Sequence, residues 1–163
     1  MNIFVLSSEE IRNPLAGEIA DLALMLHESG LMERSGSISM RYGRRMLITS
    51  SGADMSALGS EHFVEVVDYN PVTDTVLLIG THEPPPETPL HWLLYSRDDI
   101  NVVLYGMLFG KTLSVAELEA PPDGVMRAMA VLKELKNTHT VRIKDGAGIT
   151  VGASIAEIRR RFQ

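Results

Sequence analysis

At 163 residues, with 45% apolar and 22% charged side chains, the chain has the size of one domain and enough apolar content to bury a single core. Its 15 basic and 21 acidic residues give a net charge of −6, which argues against a nucleic-acid surface, and the absence of cysteine excludes disulfides and thiolate metal sites. No apolar run reaches the ~18–20 residues of a membrane span, and the first residues lack the basic region of a signal peptide, so a cytoplasmic protein is expected.

In chain order, Ser7-Ser8-Glu9-Glu10 reads as a helix start with acidic residues in its first turn, and Pro14 restarts or kinks that helix. From Leu15 the residues Leu15, Ile19, Leu22, Ala23 and Leu26 recur at helical spacing, with Met25 beside the stripe. Gly30 suits the position just past the helix end. His27, in the last turn, fits a dipole-compatible surface residue better than a ligand. Two short strands, ending at Arg41 and beginning at Met46, flank a Tyr42-Gly43 turn and predict a hairpin. Ser51-Gly52 follows. Its small hydroxyl and loop N–H groups could cradle an anion, or simply form a turn before a short helix. His62 to Tyr69 and Thr75 to Gly80 read as strands joined by a turn from Asn70-Pro71 to Asp74. His82-Glu83-Pro84-Pro85-Pro86 is then a stiff, extended connector.

The connector delivers the stretch from Glu87 to Met107. Pro89 can sit only in a first helical turn. Thr88 is therefore the expected N-cap, with Glu87 at the helix mouth, where the dipole favours an anion. His91 follows four residues later inside an apolar turn. A polar break at Ser96-Arg97-Asp98-Asp99 leads into a buried strand, Ile100 to Tyr105. Beyond it the sequence predicts a turn at Leu108 to Lys111, an irregular segment from Ser114 to Pro122, and a helix capped by Asp123. That helix runs to about Lys136 with Val125, Met129, Leu132 and Leu135 on its apolar face. A strand from Thr138 to Ile143, a turn, a strand from Ile149 to Gly152 and a helix from Ser154 to Arg161 complete the chain. Arg159-Arg160-Arg161 would complement the dipole of the last helix.

Helices at both ends of a strand-rich middle predict an α/β domain spanning residues 1–163: three layers, with a largely antiparallel central sheet flanked by helices. The order of motifs resembles the class II aldolase/adducin family from about Leu15 to Arg161. Gly36-Ser37-Ile38-Ser39-Met40-Arg41 stands for the family's Gly-Asn-x-Ser-x-Arg, and Ile48-Thr49-Ser50-Ser51-Gly52 for Ile-Thr-Pro-Ser-Gly. Pro84-Pro85-Pro86-Glu87, then His91, stands for Pro-Ser-Ser-Glu followed by His. Arg97-Asp98-Asp99 matches the family's Arg-x-Asp corner. Tyr105-Gly106-Met107 occupies the place of a zinc-binding His-x-His, and Gly146 or Ala147 that of a third histidine ligand.

The resemblance implies an anionic ligand, a sugar phosphate or carboxylate, held by Ser37, Arg41, Ser51, Gly52 and His91. It also implies a ring-shaped homotetramer with clefts between subunits, to which exposed Met32, Phe109 and Leu113 would contribute. Family enzymes usually continue beyond the last helix, so a tail covering the cleft is not expected here. The resemblance brings zinc as the expected cofactor, yet no histidine remains at the ligand positions, so no metal ligand is assigned. A phenol is protonated near pH 7, and a thioether suits copper(I) rather than zinc. Three readings follow: a metal-free binder of a small metabolite or partner; a lyase, isomerase or decarboxylase with Glu87 as acid/base and Tyr105 as proton donor or electrophile; or a non-catalytic assembly protein. Against each catalytic assignment stands a simpler one. Glu87 can be a surface residue at a helix mouth, His91 a buried core histidine, and Tyr105 to Met107 core filling.

Overall fold

Period-two alternation in the central strands sends one set of side chains to each side of a sheet, so both faces need covering. The computed structural model describes residues 1–107, 115–119, 124–144 and 147–162, and it covers both faces with helices. In chain order the elements are β1 (Asn2–Ser7), α1 (Leu15–Glu28), β2 (Ser37–Tyr42), β3 (Arg45–Thr49), β4 (Phe63–Asn70), β5 (Thr75–Ile79), α2 (Thr88–Leu94), β6 (Val102–Gly106), β7 (Val115–Leu118), α3 (Gly124–Glu134), β8 (Thr140–Ile143), β9 (Gly148–Gly152) and α4 (Ile155–Phe162). The strands form one sheet in the order β1-β5-β4-β3-β2-β6-β9-β8-β7. Only the outermost pairs, β1 with β5 and β7 with β8, are parallel. The protein is thus the expected three-layer α/β domain with a largely antiparallel sheet.

Each face has its own core. Met46, Ile48, Val64, Val103, Ile149 and Val151 pack with Leu90 and Leu94 of α2 and Ala128 and Val131 of α3. On the other side Ile38, Leu47, Val102 and Leu104 pack with Ile19, Leu22 and Leu26 of α1 and Ile158 of α4. None of the described helices is long and apolar enough to cross a membrane.

Several local expectations are corrected. The segment from Asn2 to Ser7 is a strand, and α1 begins only at Leu15, with Pro14 at its N-cap. The acidic pair Glu9-Glu10 therefore lies in a connector, because the apolar run before it finds a parallel partner in β5. Ser51-Gly52 is a turn with no helix after it. Thr88 is the first residue of α2 rather than its cap: Glu87 takes the N-cap position, and the Thr88 hydroxyl donates to the Pro85 carbonyl at 2.6 Å. A strand, β7, occupies part of the stretch expected to be irregular, because β8 offers it a parallel edge. On α3 the buried residues are Ala128 and Val131, followed by Leu135 just beyond its end, whereas Val125 and Met129 are exposed. Met32 is buried at 2% exposure and is no surface residue. Leu108, Phe109, Leu113, Asp123 and Gly146 lie outside the described residues. Arg161 does more than balance a dipole, since its guanidinium donates to the Thr150 hydroxyl and the Val151 carbonyl and pairs with Glu157, tying α4 to β9.

The Gly36 backbone has φ +135°, and a Cβ there would stand 2.6 Å from the Tyr105 carbonyl oxygen and 2.7 Å from the Met32 methyl. The loop before β2 thus touches the end of β6 backbone to backbone. Gly36→Ala should lower stability by about 2–4 kcal/mol through strain and overpacking together, a shift readable in a urea melt. Unchanged stability would mean that the loop does not pack this way.

Candidate active site

Strand β2 has an apolar side and a polar side. Ile38 packs against α1, while Ser37 and Ser39 point at α2, and both serines are fully buried. A buried hydroxyl needs partners, and α2 supplies them. His91, 0% exposed, lies between the two: Ser37 Oγ is 2.8 Å from its Nε2 and Ser39 Oγ is 2.7 Å from its Nδ1. Ser39 Oγ also meets the Tyr95 hydroxyl at 2.8 Å, and Ser37 Oγ donates to Glu87 Oε1 at 2.6 Å. One chain of hydrogen bonds therefore runs from the half-buried Glu87 inward through Ser37, His91 and Ser39 to Tyr95.

Its polarity follows from the donor inventory. Ser37 donates its one proton to Glu87 Oε1 and must therefore accept from His91 Nε2–H. His91 Nδ1 is then the acceptor for the Ser39 hydroxyl, and Ser39 accepts from Tyr95. Burial depresses the His91 pKa to about 3, so the ring is neutral and in the Nε2–H form. Burial likewise pushes the Tyr95 phenol well above its ordinary range, against smaller opposing effects of Ser39 and Arg41. With every member paired, the network fixes where Glu87 stands relative to β2.

Glu87 borders an open cleft of about 440 Å³, lined by Arg34, Ser35 and Gly36, by Ser51 to Asp54, and by Pro85 and Pro86. Within the Ser51-Gly52 turn some backbone donors are already engaged: Ser51 N–H donates to Glu83 O and Ala53 N–H to Ser50 O. Asp54 is held below the usual carboxylate range, chiefly by the Ser56 hydroxyl and backbone N–H. Tyr105, in β6 opposite Ser37, is half-buried. Burial first and the Glu87 charge second raise its pKa, and its ring centre lies 6.3 Å from that of His91.

The structure thus gathers Ser51, Gly52 and Glu87 around one cleft, with Ser37 bonded to Glu87 and Tyr105 opposite Ser37 in the sheet. Two other candidate residues do not line that cleft. His91 is sealed inside, both nitrogens engaged by serines. Arg41 faces away from the cleft, donating to the carbonyls of Tyr95, Arg97 and Ile100 and to Asn101 Oδ1 at 2.8–3.2 Å. Its guanidinium also lies 5.1 Å from the Tyr95 ring centre. Three participants escaped the sequence reading. Ser39 was legible as the residue two places from Ser37, hence on the same strand face, and Tyr95 as the residue four places from His91 on α2. Arg34 had no signal.

The donor set does not fit zinc. Among the described residues no group of three or more histidine, aspartate or glutamate side chains could hold a metal ion. Tyr105 offers a protonated phenol, Met107 a thioether and Ala147 a methyl group. His91, the nearest histidine to Glu87 in sequence, has no free nitrogen.

No curated protein matches the chain in sequence. Solved structures match its fold. An L-fuculose 1-phosphate aldolase superposes with a TM-score of 0.70 at 17% identity, over 93% of this chain and 84% of that one. A sugar-phosphate aldolase from Thermotoga maritima gives 0.68 at 15% identity, over 89% and 87%. The N-terminal class II aldolase domain of a conserved protein from Thermoplasma acidophilum gives 0.66 at 16% identity, over 95% and 92%. The family model described as Class II Aldolase and Adducin N-terminal domain matches residues 17–158, and the chain belongs to that family.

Proposed function

We propose that this protein binds a small anionic metabolite, a sugar phosphate or a hydroxycarboxylate, in the cleft beside Glu87, and does so without zinc-dependent aldol cleavage. The observation that carries this reading is the meeting of Arg34 and the Ser51-Gly52 turn with Glu87 around one open cleft. Arg34, the Ser51 hydroxyl and the Gly52 N–H are donors suited to an anion. Glu87, an acceptor, suits a ligand hydroxyl. Pro85 and Pro86 have no N–H to offer, so the cradle is smaller than one built with serines at those places. The names of the structural neighbours, an L-fuculose 1-phosphate aldolase and a sugar-phosphate aldolase, point to the same ligand class.

Calorimetric titration with L-fuculose 1-phosphate, lactate and inorganic phosphate tests the reading. Saturable binding of at least one is expected, weakened about tenfold by Arg34→Ala through loss of a charge-assisted contact. No binding by any of the three would favour an assembly protein. Zinc is tested separately by elemental analysis after chelator-free purification. The expected result is no stoichiometric zinc, because a lone carboxylate cannot hold the ion against water. Zinc at one ion per chain, lost on Glu87→Ala, would overturn the metal-free reading.

A second reading, in which Glu87 exchanges a proton with a bound carbonyl compound and Tyr105 donates one, is favoured by the 2.6 Å Ser37 bond that fixes one carboxylate oxygen. It predicts deuterium uptake from solvent into the α-carbon of a bound ligand, abolished in Glu87→Gln. The family also supports self-association as a homotetramer, which light scattering of the intact protein measures directly.

A further inference from the structure

The N-terminal strand is built unlike the rest of the sheet. β1 is an edge strand, paired to β5 on one side only. Its apolar residues are exposed on both sheet faces: Ile3 and Val5 at 39% and 48% on one, Phe4 and Leu6 at 58% and 48% on the other. Edge strands of soluble proteins are normally blunted by charge, proline or a bulge. Asn2 to Leu6 contains neither charge nor proline, and the only register shift falls beyond Val5. β1 also lies outside the family match, which begins at residue 17.

We propose that β1 is a self-association surface: two copies pair their β1 strands antiparallel about a two-fold axis, joining two sheets into one. The register can be derived. Asn2 N–H donates to Asp74 O beside β5, so Asn2, and Phe4 two residues on, direct their backbone groups toward β5. Ile3 and Val5 direct theirs to the open edge. A two-fold axis normal to the sheet keeps each side chain on its own face, so opposed residues must have the same parity. Centring the axis on Phe4 satisfies both conditions. Ile3 then exchanges both backbone hydrogen bonds with Val5 of the second copy, Val5 with Ile3 of that copy, and Phe4 meets Phe4 at a non-hydrogen-bonded site about 4.5 Å apart. Four backbone hydrogen bonds form, and the most exposed apolar residue of the strand gains an aromatic cross-strand partner.

The edge itself favours a second copy as the occupant. Ile3, Phe4 and Val5, exposed at 39%, 58% and 48%, each meet an apolar residue of the twin on the same sheet face, and the open backbone groups of Ile3 and Val5 gain partners. No side chain of residues 1–6 is charged, and the Met1 ammonium, paired with Asp74 at 2.9 Å, stands opposite Ser7 of the twin, so no like charges meet at the edge although each chain carries −6 overall.

The test uses the intact protein. Light scattering coupled to size exclusion at micromolar concentration should give an even-numbered assembly, and Phe4→Lys should halve its mass while leaving the circular dichroism spectrum unchanged. Because the chain has no cysteine, Phe4→Cys introduces a single reporter. Mild oxidation should convert it to a disulfide-linked dimer, as the Cα separation lies within disulfide range. A monomeric wild type, a Phe4→Lys mass equal to the wild type, or a Phe4→Cys protein that stays uncrosslinked overturns the proposal. If Phe4→Lys unfolds, the crosslinking result alone decides.

Discussion

Arg41→Ala, in β2, should lower the unfolding free energy by about 3 kcal/mol or more. The residue clamps a corner. Its guanidinium holds the carbonyls of Tyr95 and Arg97, just past the last turn of α2, together with Ile100 O and Asn101 Oδ1 at the entry to β6. Carbonyls at a helix C-terminus lack intrahelical partners and carry the negative end of the dipole, so a cation there is doubly favoured. Alanine leaves these part-buried acceptors without their charged donor, at roughly 1.5–3 kcal/mol for each such bond and less than additively. Arg41→Lys should recover only part of the loss, because one ammonium cannot reproduce the planar fork. Chemical denaturation of the three proteins measures the series. A loss below that of an ordinary surface substitution would show that the clamp is dispensable. The same variant separates two roles: if Arg41 served the ligand, binding would fall in proportion to its loss, whereas the clamp leaves affinity of the folded fraction intact.

His91→Leu is the second large effect. It removes the centre of the buried chain and takes one of two partners from each of the Ser37 and Ser39 hydroxyls, at an expected cost of about 2–4 kcal/mol. The asymmetry of hydrogen-bond energetics makes a sharper prediction. Replacing His91 together with Ser37→Ala and Ser39→Ala should cost less than the sum of the three single changes, because the three side chains share the bonds they lose and only Glu87 and the Tyr95 hydroxyl, at the two ends of the chain, are left short of a partner. Additivity within experimental error would mean that the three do not act as one network.

His91 also links stability to pH. Folding depresses its pKa from 6.5 to about 3, so between those values the unfolded chain binds a proton that the native protein refuses. Stability is therefore fully present above about pH 6.5 and declines as pH falls toward 3, by several kcal/mol in all. Other groups titrate in the same range, so the informative quantity is the difference from His91→Gln, whose stability should fall with a slope shallower by one proton near pH 5. Nitrogen-15 NMR should show a neutral ring protonated at Nε2 throughout. A ring that titrates near pH 6.5 in the folded protein would mean that the site is wet.

Much of this molecule was determined locally. The helical spacing from Leu15 to Leu26, the hairpin around Gly43, the Asn70 to Asp74 turn and the placement of Pro89 in a first turn depend on periodicity and backbone preference, which neighbours in sequence set by themselves. The motif order from Gly36 to Gly152 likewise suffices for the family and, with it, the three layers. Sheet edges were another matter. The strands β1 and β7 exist because β5 and β8 offer them parallel partners far away in sequence, and no local pattern encodes a parallel edge. The same is true of α3, whose buried side was decided by the position of α2 and the sheet rather than by its own apolar stripe. At the site, Glu87 and His91 stood out through their spacing, but spacing could not tell a ligand contact from a buried relay. Desolvation and partnership made that distinction, and both depend on β2 passing directly across α2 with Ser37 and Ser39 on the facing side. Arg41 shows the limit most clearly. A position matching the arginine of the family motif suggested an anion-binding arginine, yet strand alternation and the path of the chain after α2 carried its guanidinium to a set of helix-end carbonyls, where hydrogen-bond demand is highest.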